Sequence, residues 1–227
     1  MKKLKNQNGR SMMEMLGVLA IIGVLSVGGI AGYSKAMQKY RINKAIEQIT
    51  LIAGNVRTFF APQRNYNGLS CACDNNGNAC YHWDFAAYQE AYDGCPVIKK
   101  SKIFPDEMLT VNDAGEITSI TGAFGEKISI GVYSKAKSGD AQAFAITYFI
   151  GSNTEACIEL MTYDWASVNV KVIGAPFETE ASEGYLKTPV GIETAVEKCS
   201  KSSEYGFYYI DFYFDVDVDS DVWKNQF

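Results

Sequence analysis

Residues 9–33 read GRSMMEMLGVLAIIGVLSVGGIAGY and follow a short basic stretch, MKKLKNQN. From Met12 to Tyr33 the only charged side chain is that of Glu14. A helix of this length can cross the apolar layer of a bilayer, which is about 30 Å thick. Because an unpaired carboxylate in hydrocarbon costs several kcal/mol, Glu14 is expected to have a function and to acquire a partner.

The order of features in this stretch resembles the prepilin signal of type IV pilins and type II secretion pseudopilins. The resemblance lies in a lysine-bearing leader, in Gly9, in Glu14 five positions later, and in the apolar run MLGVLAIIGVLSVGG. It implies that a prepilin peptidase cuts between Gly9 and Arg10 and that the new terminal amine is N-methylated. It also implies that Glu14 pairs with that amine of a neighbouring subunit in a filament. Arg10 stands where the family usually has Phe, Met or Leu.

Two simpler interpretations of the stretch are a signal anchor that only tethers a domain and a cleaved secretory signal. A secretory signal has an apolar core of about 7–15 residues followed by small residues at the cleavage site. Here the core is longer and the small residue, Gly9, precedes it. Basic residues flank the span on both sides, so charge counting gives no orientation. They are Lys2, Lys3, Lys5 and Arg10 before it, and Lys35, Lys39, Arg41 and Lys44 after it.

The cysteines indicate the compartment. The 227 residues include a single histidine and six cysteines, at Cys71, Cys73, Cys80, Cys95, Cys157 and Cys199. A structural zinc site usually includes histidine or paired CxxC spacings, and no CxxC is present, so the pattern predicts disulfides and no metal site. Disulfides need an oxidising compartment. We therefore expect the chain after Tyr33 to be periplasmic or extracellular and the leader to be cytoplasmic.

The charge of the chain bears on its partners. Loss of the leader removes three lysines and changes the formal net charge from −5 to −8. Nucleic-acid binding needs clustered Lys and Arg side chains, and no such cluster appears in the head. Neither a nucleic-acid partner nor a cofactor is therefore expected.

The sequence predicts four segments: a leader at 1–9, an apolar membrane and polymerisation helix at 10–33, an amphipathic continuation at 34–61 and a globular head at 62–227. Apolar residues recur in the continuation at three- and four-residue steps, at Ile42, Ile46, Ile49, Ala53, Val56 and Phe60. Polar side chains, including Gln48 and Arg57, are expected mostly on the other face. Pro62 is expected to end the helix.

The head is predicted to be α+β, with the long helix packed on an antiparallel sheet. Strands are predicted at 117–120, 127–133, 142–150, 168–173 and 208–218, and helices at 85–93, 154–163 and 189–199, the last with Pro189 at its first position. Alternation predicts half-buried strands. It places Val168, Val170 and Val172 on one face of their strand. In the last strand it places Tyr208, Ile210, Phe212, Phe214, Val216 and Val218 on one face, and Asp211, Tyr213, Asp215 and Asp217 on the other.

From Ala145 onward the order of elements is similar to the C-terminal half of type IVb pilins. It comprises a strand, an ACIEL helix, a VNVKVIG strand, a TAVEKCS helix and an aromatic terminal strand. This resemblance implies a type IV pilin fold and a disulfide between Cys157 and Cys199.

Three pairings then remain for the other four cysteines. Cys71 and Cys73 are too close in sequence to bridge without strain. An Asn-Gly hairpin turn between Cys73 and Cys80 would place these two opposite each other. We therefore favour Cys73–Cys80 with Cys71–Cys95, while Cys71–Cys80 with Cys73–Cys95 stays open.

Two patterns suggest chemistry in the loop region after the long helix. His82 lies in the run CYHWD, but catalytic Cys/His/Asp groups usually assemble from distant segments, so a surface histidine is the expected interpretation. Asp74, Asn76 and Asn78 have the spacing of a calcium loop. Ala79 occupies the position where this loop requires glycine, and no glutamate follows at the twelfth position. The sequence therefore does not match the EF-hand pattern.

The C-terminal strand carries two further candidates. Its acidic side chains predict a solvated face, with an extracellular calcium site as the alternative; they are Asp215, Asp217, Asp219 and Asp221. Tyr209 and Tyr213 are predicted on the outer face, where they could serve subunit packing or ligand contact.

Together these features predict a structural protein and not an enzyme. The expected function is that of a pilin subunit, held in the inner membrane and then assembled into an extracellular type IV pilus for adhesion, motility or transfer. The expected partners are other pilin subunits, a prepilin peptidase, the inner-membrane assembly machinery and the membrane. One alternative is a type II secretion pseudopilin. Another, from a different class, is a membrane-anchored extracytoplasmic enzyme or binding domain, which would need neither Gly9 nor Glu14.

Overall fold

A computed structural model of the chain describes residues 12–69, 101–115, 117–134, 141–174, 185–202 and 208–218. It divides into two compact units, Met1–Tyr40 and Arg41–Phe227. One helix, α1 (Met12–Phe60), contributes to both units. It ends two residues before Pro62, as the sequence predicts, because proline has no N–H to continue the helical hydrogen bonds.

In the first unit, α1 contributes an apolar and exposed stretch. All residues from 12 to 36 are exposed, including large side chains such as Met13, Val24 and Ile30. By length and composition, this part of the helix can cross a membrane.

The second unit combines residues 41–60 of α1 with a sheet. Strands β1 (Leu109–Val111) and β2 (Ile117–Ile120) form a two-stranded antiparallel pair. A five-stranded sheet comprises β3 (Ile128–Ser134), β4 (Ala141–Gly151), β5 (Val170–Gly174), β6 (Tyr185–Lys187) and β7 (Tyr208–Phe214). Its strands follow the order β3-β4-β7-β5-β6. All its neighbouring strands are antiparallel, which confirms the predicted α+β class.

Two further helices and two short 3-10 turns complete the described elements. Helix α2 (Thr154–Thr162) follows β4 and helix α3 (Ile192–Ser202) precedes β7. The 3-10 turns are Asp106–Met108 and Trp165–Val168. Asn153 caps α2, because its side-chain oxygen accepts a hydrogen bond from the N–H of Ala156.

The main core lies between α1 and one face of the sheet. Its α1 residues are Ile42, Ala45, Ile49, Ile52, Ala53, Val56 and Phe60, and its sheet residues include Ile128, Ile130, Phe144, Ile146, Tyr148, Ile210, Phe212 and Phe214. Both sets follow the predicted periods, about 3.6 residues for the helix and two for the strands. Helices α2 and α3 contribute Leu160, Met161 and Ala195 to the same core.

A second, smaller cluster lies on the opposite face of the sheet and corrects the predicted half-burial of β4. Ala143 and Ala145 are buried there with Val172, Tyr213 and Val216. Strand β4 is therefore buried on both faces from 143 to 148.

Two local irregularities explain the errors in predicted strand faces. A shift of register between Val170 and Val172 sends these residues into different clusters, so they do not share a face. Val168 belongs to the preceding 3-10 turn and not to β5. Strand β7 ends at Phe214 because Asp215 has a positive φ of 59°, and alternation stops there.

Helix α3 begins later than predicted. Pro189 is not its first residue, since the helix begins at Ile192 and continues to Ser202. The short strands β1 and β6 were not predicted. The predicted helix at 85–93 lies outside the described residues.

Candidate assembly site and its anchoring in the head

Glu14 lies in the first described turn of α1. A carboxylate there interacts favourably with the partial positive charge of the helix N-terminus. That interaction does not replace a counter-ion for a charge surrounded by exposed Met, Leu, Val and Ile side chains. Gly9 and Arg10 lie outside the described residues, so cleavage, methylation and pairing with Glu14 stay predictions.

The apolar stretch around Glu14 also contains glycines that the chain's own packing does not require. A Cβ added at Gly17, Gly23, Gly28, Gly29 or Gly32 would meet nothing within 4 Å. Each glycine costs the helix about 1 kcal/mol relative to alanine. In helices that associate inside a membrane, small residues allow the backbones to approach closely.

The end of α1 is tied to the sheet by an ionic cluster, here called the Arg57 cluster, that comprises Arg57, Tyr66, Asn169 and Asp215. The guanidinium of Arg57 donates to both oxygens of Asp215, at 3.1 Å from Nε and 2.9 Å from Nη2. It also donates to the carbonyl oxygen of Val168 at 3.1 Å from each terminal nitrogen. Tyr66 donates to Asp215 Oδ2 at 2.5 Å, and Asn169 Nδ2 donates to Oδ1 at 2.9 Å.

The backbone positions the two side chains that meet across this cluster. Asn169 and Asp215 each have a φ of 59°, in the left-handed region that Asn and Asp enter more readily than most residues. Asn169 follows the 3-10 turn before β5, and Asp215 follows β7. The guanidinium lies 5.5 Å from the ring centre of Phe214.

Burial and hydrogen bonding have opposite effects on the pKa of Asp215. Burial alone would raise it, but the hydrogen bonds from Arg57, Tyr66 and Asn169 and the charge of Arg57 prevail and lower the pKa below its ordinary value. The pKa of Tyr66 is raised, first by burial and then by its hydrogen bond to the Asp215 carboxylate. The cluster therefore favours an ionised Asp215 and a neutral Tyr66.

A second polar contact joins α1 to the sheet, within the residues of the helix that belong to the second unit. Gln48 is buried in the apolar face of the helix and accepts hydrogen bonds from Tyr148 Oη at 2.6 Å and from the N–H of Ala123 at 3.0 Å. The Ala123 N–H also lies 2.7 Å from Tyr148 Oη. Burial raises the pKa of Tyr148, so its hydroxyl stays protonated.

Neither contact is predicted by the sequence patterns. Gln48 was expected on the polar face, although its position three residues after Ala45 and four before Ile52 places it on the apolar one. Arg57 was assigned to the solvent side, and its partner lies 158 positions away. Helical spacing could have identified Gln48, whereas no local pattern pairs Arg57 with Asp215.

The predicted disulfide between Cys157 and Cys199 is present and joins α2 to α3. Both sulfurs are buried and lie near the sulfur of Met161, at 4.0 Å and 3.5 Å. The other four cysteines, Cys71, Cys73, Cys80 and Cys95, lie outside the described residues, and their pairing stays a prediction.

The structure corrects the interpretation of the C-terminal acidic and aromatic residues. Asp215 is not on a solvated face, because the Arg57 cluster occupies its carboxylate. Tyr213 is only 2% exposed and packs on Tyr185. It is therefore not an exposed contact residue. Tyr209 is half-buried and packs on Phe149. Asp217 is exposed.

The remaining candidates concern metal binding and catalysis. The calcium-loop residues Asp74, Asn76 and Asn78, together with His82, Asp219 and Asp221, lie outside the described residues. Within the described part of the chain, no group of three His, Cys, Asp or Glu side chains is arranged to hold a metal ion.

Comparisons with known proteins extend these observations. A family model described as Bundlin matches residues 83–213, which is more than half of the chain. Among solved structures, a type IVb pilin from Salmonella typhi is 13% identical with a TM-score of 0.46, over 76% of this chain and 97% of that chain. No curated protein matches the sequence.

Proposed function

Since the chain belongs to the bundlin family of type IV pilins, we propose that it is processed after Gly9 and polymerises through the apolar part of α1 into a type IV pilus. Before assembly this part of α1 holds the subunit in the inner membrane, and the head lies in the periplasm. After assembly the head forms the extracellular surface of the filament.

The observation that carries this proposal is the exposure of the apolar stretch in the isolated chain. Residues 12–36 are exposed, and Leu16, Leu19, Ile21 and Leu25 each expose more than half of their surface. Removing such a side chain from water is worth about 1.5–3 kcal/mol. Lipid supplies the apolar surroundings before assembly, and neighbouring helices supply them afterwards.

The charge of Glu14 favours the filament over the subunit that is still in the membrane. In the membrane its carboxylate has no counter-ion on α1 before Lys35, the next charged residue along the sequence. In a filament, the terminal amine of Arg10 from a neighbouring subunit would neutralise it. This pairing favours the assembled state, and the glycines of the stretch allow the helices to approach.

The head supports the pilin interpretation over the pseudopilin one. A pseudopilin often uses calcium near its C-terminus, but the Asp215 carboxylate is engaged by Arg57, Tyr66 and Asn169. The Cys157–Cys199 disulfide, a feature of the C-terminal region of major pilins, is present instead.

The test uses Glu14→Ala in cells that contain a prepilin peptidase and a pilus assembly machinery. We expect a mature chain that begins at Arg10 by mass spectrometry, a folded head and no filaments. Glu47→Ala is the matched control, since Glu47 lies on the same helix, is exposed and pairs only with Lys44 among the contacts described. Filaments at the normal level from Glu14→Ala would refute the pairing. An intact leader in assembled material would refute the processing.

A further inference from the structure

The part of α1 that belongs to the head has an exposed face with a row of small residues beside large apolar ones. Thr50, Gly54 and Thr58 are exposed and follow one another at four-residue steps, so they form one row along the helix. The neighbouring row contains Leu51 and Phe59, which are 43% and 48% exposed. These five residues are here called the α1 groove.

The polar groups of the α1 groove already have partners within the helix. The hydroxyl of Thr50 donates to the carbonyl oxygen of Ile46, and that of Thr58 donates to the carbonyl oxygen of Gly54, both at 2.8 Å. No charged residue occurs from 48 to 56 in the sequence. A partner that covers the groove therefore buries neither an unpaired hydroxyl donor nor a charge of the groove.

The shape of the α1 groove fits a helix. When two helices pack closely, the side-chain ridges of one lie in the grooves between the rows of the other. Glycine at position 54 lets a second backbone approach, although it destabilises the helix relative to alanine. The packing of the head does not require this glycine, since a Cβ added at Gly54 would meet nothing within 4 Å.

Lipid is not a suitable partner for the α1 groove. The opposite side of the same helical turns is buried in the main core through Ile49, Ile52 and Val56. Arg57, which precedes Thr58, is held by Asp215. The groove is thus a surface of the head, which the proposed function keeps outside the bilayer, so the covering helix comes from a protein.

The charge of the exposed helices distinguishes between two segments of a second copy. Helix α3 exposes Ile192 and Val196, but the exposed Glu193 and Glu197 lie beside them. Against the uncharged groove these carboxylates would lose water without gaining a partner. Residues 15–34 of α1 form an exposed helix without any charged residue, so they match the groove better.

The symmetry of a filament also bears on the partner. Contact between two identical grooves relates two copies by a two-fold axis and closes a dimer, whereas contact between two different surfaces continues into an open filament. The α1 groove and residues 15–34 are different surfaces of the same chain. Their contact can therefore be repeated from one copy to the next.

We propose that the α1 groove receives residues 15–34 of α1 from a second copy of the chain. This inference rests on the proposed polymerisation through the apolar part of α1 and adds the surface of the head on which that part docks. Leu51 and Phe59 then contact aliphatic side chains of the incoming helix, and Gly54 sets how closely the two helices approach.

The first test compares filament yield in cells that contain a prepilin peptidase and a pilus assembly machinery. Gly54→Leu fills the groove but improves helix propensity, so it should not lower the free energy of unfolding of the head. We expect filament yield to fall by about tenfold, because the added side chain overpacks a close contact. Thr110→Leu is the control, since it adds a leucine at an exposed position of β1. It should assemble normally.

The second test identifies the partner and does not depend on the leucine variant. A photo-reactive p-benzoylphenylalanine replaces Leu51 in a subunit that is expressed together with the wild type. In assembled filaments, irradiation should give a crosslinked dimer in which the probe is joined to a peptide from residues 15–34, as read by mass spectrometry. Unassembled subunits should give no such dimer.

Filaments at the normal level from Gly54→Leu would overturn the proposal, and so would crosslinks to α3, to a second groove or to a different protein. An equal loss of filaments in Thr110→Leu would also overturn it, because the effect would then not belong to the groove. Failure of the proposed function has a different result, namely a wild type that forms no filaments. Filaments from the wild type and from Gly54→Leu alike would contradict the groove and leave polymerisation intact.

Discussion

The side chains in the two parts of helix α1 differ in burial and in their contacts. In the part from 12 to 36 every residue is exposed, and the only acid, Glu14, has no counter-ion there. From Ile42 to Phe60 one apolar face of the helix is buried in the head, although Leu51 and Phe59 are 43% and 48% exposed. Gln48 and Arg57 have partners elsewhere in the head. The head part of α1 buries an apolar face within its own chain, whereas the apolar part leaves its large side chains exposed.

This difference gives each part its own measurable property. Substitutions in the head part should change the free energy of unfolding of the head. Substitutions in the apolar part should change membrane depth or filament yield and leave that free energy nearly unchanged. Denaturant unfolding of the full chain in detergent micelles, followed through tryptophan fluorescence, measures this free energy.

The largest expected effect comes from comparing the same substitution, Ile to Ala, in the two parts of α1. Ile49 is fully buried and Ile21 is 62% exposed. Ile49→Ala should lower the free energy of unfolding by about 3 kcal/mol, because it removes buried methyl groups and leaves a cavity. Ile21→Ala should change it by less than about 0.5 kcal/mol. Similar losses in both variants would show that the two parts are not energetically separate.

The next effect concerns the Arg57 cluster. Arg57→Met keeps much of the aliphatic stem but leaves Asp215 without a cation and the Val168 carbonyl without its donors. Loss of one partner of a fully buried pair costs about 3–5 kcal/mol. The side chains here are 31% and 23% exposed, so we expect about 2 kcal/mol after allowing for solvent screening.

The control for the Arg57 prediction is Arg41→Met, because Arg41 is exposed on the same helix. It should change the free energy of unfolding by less than about 0.5 kcal/mol. If Arg57→Met were equally mild, the cluster would be a surface ion pair without an anchoring role.

A smaller effect is expected at the buried amide. Gln48→Ala leaves the Tyr148 hydroxyl without its acceptor and should cost about 1.5 kcal/mol. Combining it with Tyr148→Phe should give a coupling of about 1 kcal/mol in a double-mutant cycle. Asn43→Ala, at an exposed position of α1, serves as the control. Strictly additive losses would mean that the hydrogen bond between Gln48 and Tyr148 contributes nothing measurable.

The sequence predicts features that depend on local pattern. Helix α1 and its end follow from apolar spacing and Pro62, and β2 follows from its short apolar run. The core face of β7 follows from alternation at Ile210, Phe212 and Phe214. These predictions succeed because period and chain breakers act over a few residues.

The predictions that failed concern features that depend on contacts between residues far apart in the sequence. Arg57 and Asp215 are 158 positions apart, and Gln48 and Tyr148 are 100 apart. A polar residue on a buried face is stabilised by its hydrogen-bond partner. Local periodicity does not identify that partner. The bulge in β5 and the left-handed Asp215 change strand faces through single residues, so one irregularity reassigns every residue that follows.

The smallest effect is the pH dependence of the Arg57 cluster, and its sign follows from the lowered pKa of Asp215. The folded chain holds the ionised carboxylate more tightly than the unfolded chain does. Its contribution to stability is therefore complete above the ordinary pKa of 3.8 and is lost as pH falls through the lower folded pKa. Asp215→Asn removes this titration. The difference in free energy of unfolding between wild type and Asp215→Asn should be constant near neutral pH and shrink below about pH 4. A difference that stays constant down to about pH 2 would mean that Arg57 does not hold Asp215 as a carboxylate.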